Sequence, residues 1–210
     1  MTYTVKECFL TLQGEGMQTG RRAVFLRFAG CNLWSGRERD RATAQCNFCD
    51  TDFVGTDGEG GGKFADSEGL ADRVMQLWGE GSENRLVVIT GGEPMLQLDR
   101  PLIDALHDRD FRVAVESNGT LAAIEGIDWL CVSPKAGTDV VQRSGDELKL
   151  VWPQRGIDPA ELESWDFCNF LVQPMDCEAR EEALEAAIGL VMERPRWSLS
   201  LQAHKVLGLP

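Results

Sequence analysis

The run Arg85-Leu86-Val87-Val88-Ile89-Thr90 passes without a break into Gly91-Gly92-Glu93-Pro94. A short, almost wholly apolar run of this kind is the mark of a strand covered on both faces, and the glycine pair ends it. The same succession of strand and polar loop recurs at Ser117-Asn118-Gly119, Ser133-Pro134 and Gln173-Pro174. Strands are predicted over 4–10, 22–29, 85–90, 111–116, 128–132, 148–151, 167–172 and 197–201. Helices are predicted over about 66–78, 99–108 and 178–193. Asp66 and Ser67 are placed to cap the first helix, with Leu70, Val74 and Leu77 on one face. Strands alternating with helices imply a parallel sheet, in which the loops leaving the strands share one rim and carry the ligand sites. A closed eight-stranded barrel takes about 250 residues. The 210 residues here therefore predict an α/β fold of one domain, residues 1–210: a partial, TIM-like barrel of about six parallel strands with reduced helices. No repeat is visible, and the glycine-rich stretch from Gly55 to Gly62 reads as mobile surface.

The charge balance narrows the partners. With 21 Lys plus Arg against 34 Asp plus Glu, the net charge is −13. Such a surface repels phosphate backbones and anionic bilayers, which argues against nucleic-acid and membrane partners. No apolar run approaches the ~20 residues of a membrane span, and the opening Met1–Glu7 has no basic segment leading into an apolar one. A cytoplasmic protein is expected.

Seven cysteines are odd in number, and in a cytoplasmic chain a disulfide framework is a poor account of them. Cys31, Cys46 and Cys49 are spaced Cys-x14-Cys-x2-Cys. A Cys-x2-Cys pair brings two thiolates within reach of one metal centre, and a third can join from a loop. Three thiolates suit a [4Fe–4S] cluster with one open iron. A zinc completed by Cys8 or a histidine and a set of unliganded thiols remain open on spacing alone. Cys8, Cys131, Cys168 and Cys177 fall in or near predicted strands and are expected to be core thiols.

Several further segments, taken in order, resemble a known family. They are Leu12-Gln13-Gly14-Glu15-Gly16, Arg27-Phe28-Ala29-Gly30-Cys31-Asn32-Leu33-Trp34, Cys46-Asn47-Phe48-Cys49-Asp50-Thr51, Thr90-Gly91-Gly92-Glu93-Pro94, Glu116-Ser117-Asn118-Gly119, Ser133-Pro134-Lys135, Gln173-Pro174-Met175-Asp176 and His204-Lys205. Together they resemble the radical S-adenosylmethionine (SAM) superfamily and, within it, the 7-carboxy-7-deazaguanine synthases of deazapurine (queuosine) biosynthesis. The resemblance covers essentially the whole chain. One departure is the spacing: most of the superfamily has Cys-x3-Cys-x2-Cys. Here a polar, Arg-rich insertion, Ser35–Gln45, lengthens the cluster loop, which extends over about 31–63.

The resemblance implies a lyase acting on 6-carboxy-5,6,7,8-tetrahydropterin, contracting its ring to 7-carboxy-7-deazaguanine with loss of ammonia. It implies a [4Fe–4S] cluster on Cys31, Cys46 and Cys49, SAM used catalytically, and Mg²⁺ on Thr51. For SAM it implies contacts from Phe48, Asp50, Gly92, Glu116, Ser117, Ser133, Pro134, Lys135, Gln173, Pro174, Met175 and Asp176. For the substrate it implies Leu12, Gln13, Gly14, Glu15, Arg27, Thr90, His204 and the terminal carboxylate of Pro210. Arg27 lies in an apolar strand, where a guanidinium needs a partner, and the substrate carboxylate would supply one. A flavodoxin-type reductant is implied, and exposed sheet edges lead to the expectation of a homodimer. Another small radical SAM enzyme, such as an activase, and a zinc-bound interaction module are the alternatives.

Overall fold

The computed structural model describes residues 2–210. Nine strands form one sheet: β1 (Tyr3–Leu12), β2 (Arg22–Phe28), β3 (Gly62–Phe64), β4 (Leu86–Gly91), β5 (Arg112–Ser117), β6 (Trp129–Val132), β7 (Ser144–Trp152), β8 (Asp166–Pro174) and β9 (Trp197–Leu199). Their order is β3-β1-β2-β4-β5-β6-β7-β8-β9, so β3 and β9 are free edges and the barrel is open. β1 runs antiparallel to both of its neighbours. β2, β4, β5, β6, β7, β8 and β9 are mutually parallel, seven strands where about six were expected. All seven fall where strands were predicted; the last is the three-residue edge strand β9, within the predicted 197–201, and the strand not predicted is β3.

The longer helices α1, α2 and α4 cover one face. α1 (Ser67–Trp78) starts where the Asp66 carboxylate accepts from Gly69 N at 2.9 Å. α2 (Arg100–His107) starts where Asp99 accepts from Leu102 N at 3.2 Å, with a proline in its first turn. α3 (Pro159–Leu162) is a single turn, α4 (Arg180–Glu193) packs on β8, and α5 (Ala203–Leu207) closes the chain. No helix stands between β5 and β6 or between β6 and β7, which is the expected reduction.

The pleat then sorts the side chains. Val24, Leu26, Phe28, Val87, Ile89, Val113, Val115, Leu148, Leu150 and Val172 pack with Leu70, Val74, Leu102 and Leu106 of the helices in one buried cluster. Burying one such side chain contributes about 1.5–3 kcal/mol. The alternate positions face the other way: Phe25 and Arg27, Val88 and Thr90, Ala114 and Glu116, Glu147 and Lys149, Leu171 and Gln173. A two-residue period therefore puts the hydrophobic core on the helix side and leaves polar side chains on the open side.

Two expectations are corrected. The stretch from Gly55 to Gly62 is seated on β1: Cys8 N donates to Glu59 O at 2.7 Å and Gly58 N to Lys6 O at 3.1 Å. A Cβ on Gly60 or Gly61 would collide with the carbonyl of Cys8 or Lys6, so the glycines serve close backbone approach rather than mobility. Cys8 and Cys131 are buried as expected, but Cys168 and Cys177 are exposed. Cys168 alternates with the buried Phe167 at the start of β8, and Cys177 lies in the loop before α4.

Candidate active site

The parallel strands all end on one rim. Gly30-Cys31 follows β2, Gly92 follows β4, Asn118 follows β5, Ser133-Lys135 follows β6, and Met175-Asp176 follows β8. Below that rim, on the face away from the longer helices, is a cavity of about 380 Å³. Of the residues expected to bind ligands, Leu12, Gln13, Gly14, Glu15, Arg27, Cys46, Phe48, Cys49, Asp50, Thr51, Thr90, Gly92, Glu116, Ser117, Ser133, Lys135, Gln173, Pro174, Met175, Asp176, His204 and Pro210 line it. Cys31 stands beside the chamber on the rim, and Pro134 does not line it: its carbonyl accepts from Gln154 Nε2 at 3.4 Å, inside the protein.

Glu93 is the keystone of the rim. It is fully buried, and its carboxylate accepts from Ser117 Oγ at 2.9 Å, Asn118 N at 2.8 Å and Met95 N at 3.0 Å. Burial pushes its carboxyl up, against the pull of those donors. Glu93 N in turn donates to Gly30 O at 3.0 Å. Gly92 fits between: a Cβ there would stand 2.5 Å from Cys31 Cβ. The Gly-Gly-Glu-Pro segment thus fastens the loop after β4 to those after β2 and β5.

The three thiols belong to one loop. Cys46 and Cys49 lie close enough for each thiol to act on the other, which lowers the Cys49 thiol to about 6 and raises that of Cys46. Cys31 lies near enough for Cys49 to act on it electrostatically, and burial raises its thiol. Leu33 N donates to Cys31 Sγ at 3.4 Å. Among the described residues, no three His, Cys, Asp or Glu close around the position of a single metal ion. Three thiols on one loop are a donor set whose chemistry fits an iron–sulfur cluster. Beside it, the Asp50 carboxylate is already engaged by Lys205 Nζ at 2.6 Å. Thr51, next in the chain, lines the cavity.

The floor is a buried charge network. Lys149 Nζ donates to Glu15 at 2.5 Å and Glu116 at 2.9 Å. Gln13 Nε2 donates to Glu116 at 2.8 Å, and Gln202 Nε2 to Glu15 at 2.8 Å. Burial alone would raise the Glu15 carboxyl, but the Lys149 charge and hydrogen bond outweigh it and hold it at about 2. The same carboxylates, overcoming burial, raise Lys149 well above the ordinary lysine range. Higher on the wall, Arg27 Nε donates to Glu7 at 2.6 Å. The partner that a strand-bound arginine needs is thus found within the protein, while Arg27 still faces the chamber. Lys135 Nζ donates to Ser133 O and Oγ at 2.7 and 2.6 Å, 6.0 Å from the Phe48 ring centre, and burial lowers its ammonium.

α5 supplies the last wall. Ala203 N donates to Gly14 O at 2.8 Å, and Lys205 Nζ reaches Asp176 at 2.5 Å as well as Asp50. Lys149, Gln202, Lys205, Glu7 and Asn118 also line the cavity and were not singled out as ligands in the sequence. Lys149 carried a signal: Glu147 and Lys149 alternate with Leu148 and Leu150, the same charged intrusion into an apolar strand that marked Arg27. Gln202 carried none.

An open, mostly parallel sheet with a three-thiol loop and a Gly-Gly-Glu-Pro turn on the rim of a polar chamber defines the class of protein. No protein-family model matches the chain. It is 60% identical over 210 residues, the whole of both chains, to the 7-carboxy-7-deazaguanine synthase of Caulobacter vibrioides, and 58% identical over the same span to that of Bordetella pertussis. The crystal structure of QueE from Escherichia coli superposes with a TM-score of 0.73 at 28% identity, covering 97% of this chain and 95% of that one. The chain belongs to the 7-carboxy-7-deazaguanine synthase family.

Proposed function

We propose that this chain converts 6-carboxy-5,6,7,8-tetrahydropterin to 7-carboxy-7-deazaguanine with release of ammonia, as a radical SAM lyase that regenerates SAM each turnover. The observation that carries the reading is the union, in one cavity, of Cys46, Cys49 and the Gly92 turn with Arg27 and the Gln13–Glu15 segment. Cofactor and substrate positions then adjoin, as radical transfer between them requires. Family membership supports the same assignment. When bound, a [4Fe–4S] cluster on Cys31, Cys46 and Cys49 supplies the low-potential electron for cleaving SAM.

The chain's residues hold and orient. Gly92 lets a ligand approach the backbone closely. Glu116, Ser117, Ser133, Lys135 and Gln173 offer polar atoms to SAM along the rim, with Phe48 on its adenine and Pro174 to Asp176 beside it. Arg27 takes the substrate carboxylate on the guanidinium nitrogens that Glu7 leaves free. Glu15, held ionised by Lys149, accepts hydrogen bonds from the pterin's amide and amino edge, with Gln13, Thr90 and His204 around the ring. Thr51 contributes to Mg²⁺, whose remaining sites take substrate and water oxygens. Asp50, committed to Lys205, is the weaker candidate for that ion.

A flavodoxin-type donor supplies electrons in the cytoplasm. Among the described residues, no helix is long and apolar enough to cross a membrane. The free β3 and β9 edges favour a homodimer. The deciding experiment is anaerobic incubation with SAM, dithionite, Mg²⁺ and the carboxypterin, followed by product mass. Formation of 7-carboxy-7-deazaguanine without net loss of SAM is expected; stoichiometric SAM consumption with no deazaguanine refutes the reading.

A further inference from the structure

The insertion that separates Cys31 from Cys46 is a closed loop rather than a spacer. Gln45 N donates to Leu33 O at 3.2 Å, so the excursion leaves and rejoins the chain at one neck, beside both cysteines. Its tip is a short 3₁₀ helix, Glu38–Thr43. From that helix Arg41 turns back toward the other arm of the loop. Its Nη1 donates to Asn47 O and to Cys49 O, each at 3.0 Å. Its Nε donates to both Glu38 oxygens, at 2.9 and 2.8 Å. Its guanidinium lies 4.1 Å over the ring of the buried Trp34. Trp34 is itself fixed: Nε1 donates to Arg37 O at 3.3 Å, and its ring meets Phe53 edge-on at 5.6 Å. The planar fork thus spans three anchors at once, an arrangement arginine makes and lysine does not.

We infer that Arg41 is a positioning residue for the Cys46–Cys49 hairpin: the insertion carries its own clamp, which fixes the two carbonyls flanking Phe48 and so sets the hairpin in its metal-binding shape before any metal arrives. Residues that lock the groups around a metal's ligands commonly govern metal retention by about 10–100-fold. The inference rests on the proposed cluster for one of its two readouts and is independent of it for the other.

In metal-free protein, Arg41→Ala is expected to speed backbone hydrogen exchange across 46–51 by about tenfold or more, with Arg41→Lys giving little rescue and Glu38→Gln an intermediate rate. Exchange over the distant α2 should not change. After anaerobic reconstitution, Arg41→Ala is expected to lose iron to a chelator about tenfold faster than the parent protein and to show an altered electron paramagnetic resonance signal when reduced without SAM. Unchanged exchange over 46–51 overturns the inference, as does full rescue by lysine. A parent protein that takes up no iron overturns the proposed function instead, and the exchange comparison still decides the role of Arg41. If Arg41→Ala fails to fold, Glu38→Gln and Arg41→Lys carry the same comparison.

Discussion

Lys149 Nζ sits 2.5 Å from a Glu15 carboxylate oxygen, bridging the loop after β1 to the middle of β7 across 134 residues of chain. The ammonium is almost wholly buried and also serves Glu116. Removing one partner from such a network leaves buried charges uncompensated, which destabilises by about 3–5 kcal/mol. Lys149→Met should therefore lower the free energy of unfolding by about that amount in denaturant titrations, and a loss under ~1 kcal/mol would contradict the network as described.

The same network fixes a pH dependence. The Glu15 carboxyl is lowered to about 2 in the folded protein, against ~4.3 when unfolded. Its stabilisation is full above the unfolded value and disappears as pH falls toward the folded one. Lys149 is raised, so its contribution is full below ~10.4 and is lost only as pH rises through its higher folded value. The stability gap between the parent protein and Lys149→Met should thus be widest near neutral pH and narrow toward acid, beginning above the ordinary carboxylate value because burial raises a Glu15 left without Lys149. A gap unchanged at acid pH would mean that Glu15 is not ionised by Lys149.

Gly14 is a contact rather than a hinge. A Cβ there would stand 2.7 Å from His204 Cβ and would overlap the imidazole, because Ala203 N is bonded to Gly14 O. Gly14→Ala should push α5 outward, lowering stability by about 1–3 kcal/mol. Hydrogen exchange should rise over 203–209 and leave α2 untouched. On the proposed function KM for the pterin should rise more than kcat falls, and equal exchange in the two proteins would remove the contact from the account.

Arg27 divides its fork. Glu7 takes Nε, and the chamber side is free for an anion. Arg27→Lys keeps the charge and loses the two-point geometry. The pterin KM should rise by about 10–100-fold, the worth of a charge-assisted bond, while SAM binding changes little. A larger effect on SAM than on pterin would move Arg27 to the cofactor side.

The Glu93 carboxylate ties the loops after β4 and β5 through acceptor atoms alone, while its backbone N holds the loop after β2. Glu93→Gln turns one acceptor into a donor facing other donors. It should cost about 1–3 kcal/mol in thermal or chemical unfolding, and Glu93→Ala more.

The strands were readable because burial writes a period into them: Leu86–Ile89 announces a covered strand, and the polar loops that follow predict the rim. The cysteine spacing and the Gly-Gly-Glu-Pro turn were readable because each requires particular residue types. Cys168 misled because proximity to a strand says nothing about which side of the pleat a thiol takes. The glycines of 55–62 misled because glycine serves both mobility and close contact, and only the β1 carbonyls beside them show which applies. β3, three residues long, is too short to carry a period, whereas the equally short β9 lies within the strand read over 197–201.

The alternation of strand and loop, the three-thiol segment and the charges set into apolar strands could be read from the chain before folding, since each is a local property of spacing and side-chain chemistry. The tertiary structure decided the partners: Glu7 for Arg27, Glu15 and Glu116 for Lys149, Asp50 for Lys205, Arg41 for the Cys46–Cys49 hairpin. Most of these join residues far apart in the chain, and a charge far along the chain becomes a neighbour only when register and twist bring two backbones together. A buried charge announces that it needs a partner, and folding alone names which one.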